Sequence, residues 1–272
     1  MTTLAILWDP ALGIDLGVYT LRFYSLMWFA AFICGVWLMT RVGRRDGLTD
    51  DQLTAMLFYV FFGTLIGARL GHCVFYEWGY YKDHLLEMIL PVQFSPTFRI
   101  TGYEGLASHG AAIGIVVAML LFARKVKKPF LWVMDRLCMA VALGGVFIRL
   151  GNFFNSEIIG KPTGSSFGVI FKRLGEDFPR HPAQLYEAFG YLILFFVLWV
   201  LYKKGYGQKV GFLFGIFLIA LFTIRFVIEF FKENQVAFED ALPLNMGQLL
   251  SIPFILAGGV ILYFAQKQSH KL

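Results

Sequence analysis

KVGFLFGIFLIALFTIRFVIEFF, residues 209–231, contains Thr223 as the single polar side chain between Lys209 and Arg225. About 20 mostly apolar residues are enough for a helix to cross a bilayer. The stretch therefore reads as a membrane span, and Arg225 and Glu229 near its end are anomalies within it. An ionised group in hydrocarbon costs roughly 2.5–3.5 kcal/mol on insertion scales, so by default it marks function.

The same pattern recurs on both sides of this segment. Candidate spans fall at residues 20–40, 52–76, 105–123, 130–151, 183–202, 209–231 and 247–265. Composition agrees: 58% of the 272 residues are hydrophobic, 15% are charged and the mean hydropathy is +0.65. A soluble domain carries about 25% charge. We read the whole of 1–272 as a single polytopic membrane domain, an all-α integral membrane protein with seven transmembrane helices.

Connections between the spans are of two kinds. Arg41, Arg44 and Arg45, then Arg124, Lys125, Lys127 and Lys128, then Lys203, Lys204 and Lys209, then Lys267 and Lys271 sit in short segments, and together they make 12 of the 24 lysines and arginines. Stretches 77–104, 152–182 and 232–246 are longer and hold most of the acids. An excess of Lys and Arg in short loops faces the cytoplasm. That rule puts the N-terminus outside and the C-terminus in the cytoplasm, with a small head on the outer face built from the three longer loops. The net charge of +6 is thus a matter of topology, and no nucleic-acid partner is expected. The polar, acidic stretch with Asp9 and Asp15 before the first span does not resemble a cleavable signal.

With this orientation the anomalous residues acquire a depth. Arg69 lies late in the second span, His109 early in the third, Arg149 at the end of the fourth, and Arg225 and Glu229 in the outer half of the sixth. At a rise of 1.5 Å per residue, Arg225 sits about 10 Å below Lys232 at the outer edge. Tyr24 opens the first span at the same level. Alone, each has a structural reading: Arg225 with Glu229 as a buried pair, His109 as a satisfied polar residue, Arg149 snorkelling to the headgroups, Arg69 packing between Gly67 and Gly71. Their common depth argues for one site near the outer surface.

Local spacing says what such a site can do. Arg149 and Asn152 are three apart, hence on one helix face, and Asn155 and Glu157 follow at the helix exit. Arg225 and Glu229 are an i,i+4 pair, so Glu229 can partner the arginine. Gly110 and Ala111 beside His109 let another backbone or a substrate approach the imidazole. Two arginines at headgroup depth suit a phosphate, because the planar guanidinium fork matches its oxygens. An imidazole, with an ordinary pKa near 6.5, can take a proton from a thiol of pKa about 8.5.

Other chemistries fit poorly. Cys34, Cys73 and Cys138 lie in apolar stretches without metal-ligand spacing, so neither a disulfide framework nor a metal is expected. Gly164-Ser165-Ser166-Phe167-Gly168 matches a serine-hydrolase pattern but stands in an outer loop, without a strand feeding a helix. No cofactor is expected. A secondary transporter or lipid flippase also uses intramembrane charges, but places them near the midplane between repeated halves, and no repeat is visible.

Arg149-Leu-Gly-Asn152-Phe-Phe-Asn155-Ser-Glu157-Ile-Ile-Gly160-Lys-Pro resembles the signature of bacterial prolipoprotein diacylglyceryl transferases. The resemblance runs through most of the chain: Arg22-Phe-Tyr24-Ser-Leu-Met27, Gly67-Ala-Arg69-Leu-Gly71, His109-Gly110, Arg180-His181-Pro182-Ala-Gln184-Leu-Tyr186-Glu187, Arg225-Phe-Val-Ile-Glu229 and Met246-Gly-Gln248 follow in the family's order. Two positions depart from it. Ala111 stands where the family usually has a second glycine, and Leu221 where it often has a tyrosine four residues before the sixth-span arginine, so another hydroxyl, with Tyr24 as a candidate, has to serve.

The resemblance implies transfer of diacylglyceryl from phosphatidylglycerol to the lipobox cysteine of a prolipoprotein signal peptide. Glycerol 1-phosphate leaves, in the bacterial cytoplasmic (inner) membrane. On this reading His109, Arg149, Arg225, Glu229 and Tyr24 are catalytic. Arg149, Asn152, Asn155, Glu157, Gly160 and Arg225 bind the donor lipid. Arg69, Gly110, Gln184, Tyr186, Glu187 and Gln248 support them.

Overall fold

The computed structural model describes residues 4–17, 20–90, 92–94, 97–100, 105–233 and 243–269. Seven helices among them are long and apolar enough to cross a membrane. They are α1 (Phe23–Arg45), α2 (Asp50–Phe75), α5 (Ser108–Val126), α6 (Phe130–Asn155), α7 (Ala183–Lys203), α8 (Phe212–Ile228) and α9 (Met246–Ser269). Two short helices, α3 (Trp78–Tyr81) and α4 (Leu85–Ile89), lie in the connection after α2. The described residues also form six strands of two to five residues: β1 (Leu4–Trp8), β2 (Gly13–Asp15), β3 (Thr20–Arg22), β4 (Val92–Gln93), β5 (Arg99–Ile100) and β6 (Phe167–Phe171).

Helix ends follow local chemistry. The first helix begins at Phe23, later than the hydropathy alone suggests, because Thr20–Arg22 pair antiparallel with Gly13–Asp15. At the start of α2 the Thr49 hydroxyl accepts from Gln52 N at 3.2 Å while Gln52 Oε1 accepts from Thr49 N at 3.0 Å, a capping box. Basic residues occupy the last turns of α1, α5, α7 and α9, where they complement the carbonyl end of the helix dipole.

The chain forms two compact units, residues 42–133 and residues 1–41 with 134–272. In the unit 42–133, α2 packs on α5 through glycines: a Cβ on Gly71 would stand 2.6 Å from the Gly110 Cα, and one on Gly67 2.7 Å from the Gly114 Cα. Small residues spaced by four let membrane helices approach this closely. What the small residues beside His109 admit is therefore a neighbouring backbone. Arg69, 5% exposed, donates from Nε to Met88 O (3.2 Å) and from Nη2 to Glu87 O (2.8 Å) and the Tyr81 hydroxyl (3.0 Å). Its guanidinium thus holds the α3–α4 segment in place.

In the other unit β1 pairs in parallel with β6, from Leu4 opposite Phe167 to Trp8 opposite Phe171. Behind this ribbon Phe153, Val169 and Phe171 form an apolar core with Trp8, Ile159 and Leu185. The Trp8 Nε1 donates to Phe153 O at 3.0 Å. This small head sits where α6 ends and α7 begins, among the longer connections. The Gly164–Gly168 stretch leads into β6, so it is no strand-to-helix elbow and carries no hydrolase geometry.

Asp135, fully buried near the start of α6, is a charge that the sequence reading did not single out. Its carboxylate accepts from Gly211 N (2.7 Å) and Phe214 N (2.8 Å), two of the donors that the start of α8 leaves unpaired. Asp135→Ala should lower the stability of the purified protein by about 1–3 kcal/mol, the cost of stranding buried donors. A thermal midpoint in detergent equal to that of the wild type would contradict this.

Candidate functional site

The last two turns of α6 aim Arg149 and Asn152 the same way, and Arg149 Nη1 donates to Asn152 Oδ1 at 3.1 Å. Arg149 Nε lies 2.5 Å from Glu187 Oε2, on the first turns of α7. Glu187 is fully buried and also faces the Lys232 ammonium, its Oε1 3.2 Å away. Lys232 in turn meets Glu229 Oε2 at 3.0 Å. The chain of charge therefore runs Arg149, Glu187, Lys232, Glu229, joining α6, α7 and the 3₁₀ turn Glu229–Phe231 that ends α8.

The sequence spacing expects Glu229 to pair with Arg225, four residues back. The direct ion pair it makes is with Lys232, three residues on. Tightening from α to 3₁₀ geometry at Glu229 eclipses residues three apart, which brings the lysine over the carboxylate. Arg225 interacts electrostatically with Glu187, Glu229 and Tyr191. Tyr191 also interacts electrostatically with Arg149. Lys232 and Tyr191 were both absent from the candidates. Lys232 served only to mark the membrane edge, and Tyr191 lies in an apolar run with no motif around it.

Asn152 extends the network. Its Nδ2 donates to Glu157 Oε2 at 3.3 Å, and Asn155 Nδ2 donates to Glu157 Oε1 at 3.0 Å. Glu157 stands between two residues in left-handed conformation, Ser156 (φ 56°) and Ile158 (φ 55°). For a β-branched residue this is a genuine outlier and stores strain, which concentrates at functional sites. Gln184, fully buried, holds the turn by donating from Nε2 to Glu157 O at 2.6 Å. Asn155 Oδ1 and Ser156 Oγ are buried here without a protein hydrogen-bond partner.

Other expected residues frame this cluster. The Tyr24 ring lies against Gly151, where a Cβ would stand 2.9 Å from Tyr24 Cδ2. Gly160 is a backbone crossing: it bridges to Lys232, donates to His181 O at 3.0 Å, and a Cβ there would lie 2.6 Å from the His181 Cβ. Its carbonyl accepts from Arg180 Nη1 at 3.2 Å. Arg180 is gripped by both Glu176 oxygens at 2.6 Å and by Glu233, and the hydrogen bonds to Glu176 lead the effects that raise its pKa above the usual arginine value. Tyr186 meets His181 Nδ1 through its hydroxyl at 3.2 Å. Gln248 caps α9 reciprocally with Asn245 and donates to Phe226 O at 3.4 Å, while Gly247 lets α9 begin against Glu229. In the unit 42–133, His109 stands in the first turn of α5 with its side chain exposed.

Arg149, Arg225 and Lys232 against Glu187 and Glu229 leave one surplus positive charge in the inner cluster. Glu157, which meets it only through amides, brings the six charges to balance. Buried charge of this kind within apolar helices defines an integral membrane protein with an ionic site near one end of its spans. The chain belongs to the prolipoprotein diacylglyceryl transferase family, whose model matches residues 11–264. It is 47% identical to the phosphatidylglycerol–prolipoprotein diacylglyceryl transferase of Bacteroides fragilis over 97% of each chain. The enzyme of the same name from Tolumonas auensis is 43% identical over 96% of each chain. That of Chloroherpeton thalassium is 40% identical over 98% of this chain and 97% of its own.

Proposed function

We infer that this protein is a transferase that moves the diacylglyceryl group of phosphatidylglycerol onto the lipobox cysteine of a prolipoprotein. Family membership over nearly the whole chain supports this above a transporter or flippase. The observation in the structure that carries it is Arg149, held between the Glu187 carboxylate and the Asn152 amide at the end of a membrane helix.

In this reaction the cysteine sulfur attacks the glycerol carbon bearing the phosphate, a C–S bond forms, and the C–O bond breaks with its electron pair going to phosphate oxygen. The leaving group is glycerol 1-phosphate. Arg149 and Arg225 are the proposed clamp on that phosphate, since preorganised donors in a dry site stabilise charge as it develops. Asn155 Oδ1 and Ser156 Oγ, both lacking protein donors, suit the hydroxyls of the glycerol headgroup. Asn152 helps the clamp, Glu157 and Asn155 shape the mouth, Glu229 orients Arg225 while pairing with Lys232, and Tyr24 is a second candidate donor to the phosphate. His109 is the proposed base for the thiol, on its chemistry and its place at the start of α5.

The basic ends of the helices face the cytoplasm on this reading, and the site opens toward the outer leaflet of the bacterial inner membrane. A lipid donor then reaches it sideways at headgroup depth. The test is detergent-solubilised protein with labelled phosphatidylglycerol and a lipobox peptide. Release of glycerol phosphate together with lipid-modified peptide is expected, and a protein that yields neither ends the proposal. His109→Gln should slow the transfer by about 10²-fold or more, the usual contribution of a general base. Retention of most of the rate would remove His109 from that role.

A further inference from the structure

The connection that follows α2 has its chemistry inside out. Its polar groups are tied to one another and to α2. Glu87, 3% exposed, accepts through Oε2 from the Tyr80 hydroxyl at 2.7 Å and through Oε1 from Phe94 N at 2.8 Å. Gln93 Nε2 donates to that same hydroxyl at 3.2 Å. Arg69 of α2 fastens the carbonyls of Glu87 and Met88, while Met88 and Tyr81 close on Cys73 of the same helix. The other side is apolar. Trp78, Leu85, Leu86, Ile89, Phe98 and Ile100 are each at least half exposed.

A loop in water does the reverse, and a large exposed apolar patch marks a contact with protein or membrane. Continuity decides for lipid. Phe75 and Tyr76, where α2 ends, are exposed as well, so the patch runs on from the outer flank of a membrane span. The 26 residues of α2 measure about 39 Å at 1.5 Å each, enough to cross a hydrocarbon core of about 30 Å and reach its boundary. Tyr76 and Trp78 suit that level, where amphipathic rings collect. Exposed Lys82, Asp83 and Arg99 supply a charged rim. Satisfying Glu87 from within removes the cost of placing a carboxylate beside lipid.

We propose that α3, α4 and β5 form a half-immersed lipid anchor, with Trp78, Leu85, Leu86, Ile89 and Ile100 among the upper acyl chains of the leaflet in which α2 ends. Interfacial segments of this kind sink about 5–10 Å into the headgroup boundary. The anchor goes beyond the transferase reading and does not depend on it.

The full chain carries Cys34→Ala, which leaves the buried Cys73 and Cys138 as its own cysteines. Leu86→Cys is added, labelled with an environment-sensitive fluorophore and reconstituted in vesicles of phosphatidylethanolamine and phosphatidylglycerol. Ile100→Cys is a second site should the first variant fail to fold. Ser165→Cys, exposed in the loop before β6, is the reference. A lipid nitroxide near the top of the acyl chain should remove most of the fluorescence at positions 86 and 100. A water-soluble nickel chelate should remove most of it only at position 165. Quenching from water as strong at positions 86 and 100 as at the reference would overturn the anchor. Relief of lipid quenching by saturating lipobox peptide would overturn it too, because the face would then belong to a protein partner.

Discussion

Arg149→Ala is expected to reduce diacylglyceryl transfer by roughly a thousandfold, the scale set by deleting a key electrostatic donor. The loss has two separable sources. One is chemical, the missing donors to phosphate. The other is structural, because Glu187 is fully buried and would keep Lys232 as its direct ion-pair partner, with Arg225 acting on it without a direct pair. Breaking a buried pair by removing one partner costs about 3–5 kcal/mol. A second substitution tells them apart. Arg149→Ala/Glu187→Gln removes the stranded carboxylate along with the arginine, so much of the thermal stability should return. Turnover should not. Near-normal transfer by either variant, with the protein inserted and folded, would show that the phosphate is held elsewhere.

The helices were readable because seven runs of about 20 apolar residues admit few other structures. Their ends were less so, since they depend on local backbone chemistry. Gly105, at φ 75°, precedes α5, so the helix begins at Ser108, three residues later than the apolar run suggests. The head was readable as a place and not as a fold. Pairing of Leu4–Trp8 with Phe167–Phe171 joins segments more than 150 residues apart, beyond anything local periodicity reports.

The site divides along the same line. Arg149, Asn152, Asn155 and Glu157 lie within nine residues of one another, and their mutual bonds follow from that spacing. Partners from other helices were hidden. Glu187 entered through a motif of the fifth span, and nothing in that motif says that it bridges Arg149 and Lys232. Glu229 keeps helical spacing to Arg225, and what that spacing does not show is its ion pair with Lys232, formed where the segment tightens to 3₁₀. Arg69 sits among the same kind of residues in sequence, yet its hydrogen bonds hold a connecting segment. A charge in a span thus marks importance without saying which kind.

Glu187→Gln gives the most direct view of the cluster as an anion site. The substitution keeps the shape of the side chain and removes one negative charge from between Arg149 and Lys232. Two cations then remain at a buried place with Glu229 as the remaining close carboxylate on the lysine. Stability in detergent should fall by about 3–5 kcal/mol, as for any buried pair broken from one side. Turnover should fall about a hundredfold as well, since Arg149 loses the carboxylate that aims it, and poor aim alone can cost that much. Ligand linkage adds a sharper expectation. A ligand that binds only the folded state stabilises it by RT ln(1 + [L]/Kd), so the gain in midpoint reports affinity. Glycerol 1-phosphate, an anion, should raise the midpoint of Glu187→Gln more than that of the wild type, because it restores the charge the variant lacks. Equal shifts in the two proteins, or a smaller one in the variant, would place the phosphate away from Arg149 and Lys232. The cluster would then be an internal strut between α6, α7 and α8, with the chemistry to be sought at another surface of the protein.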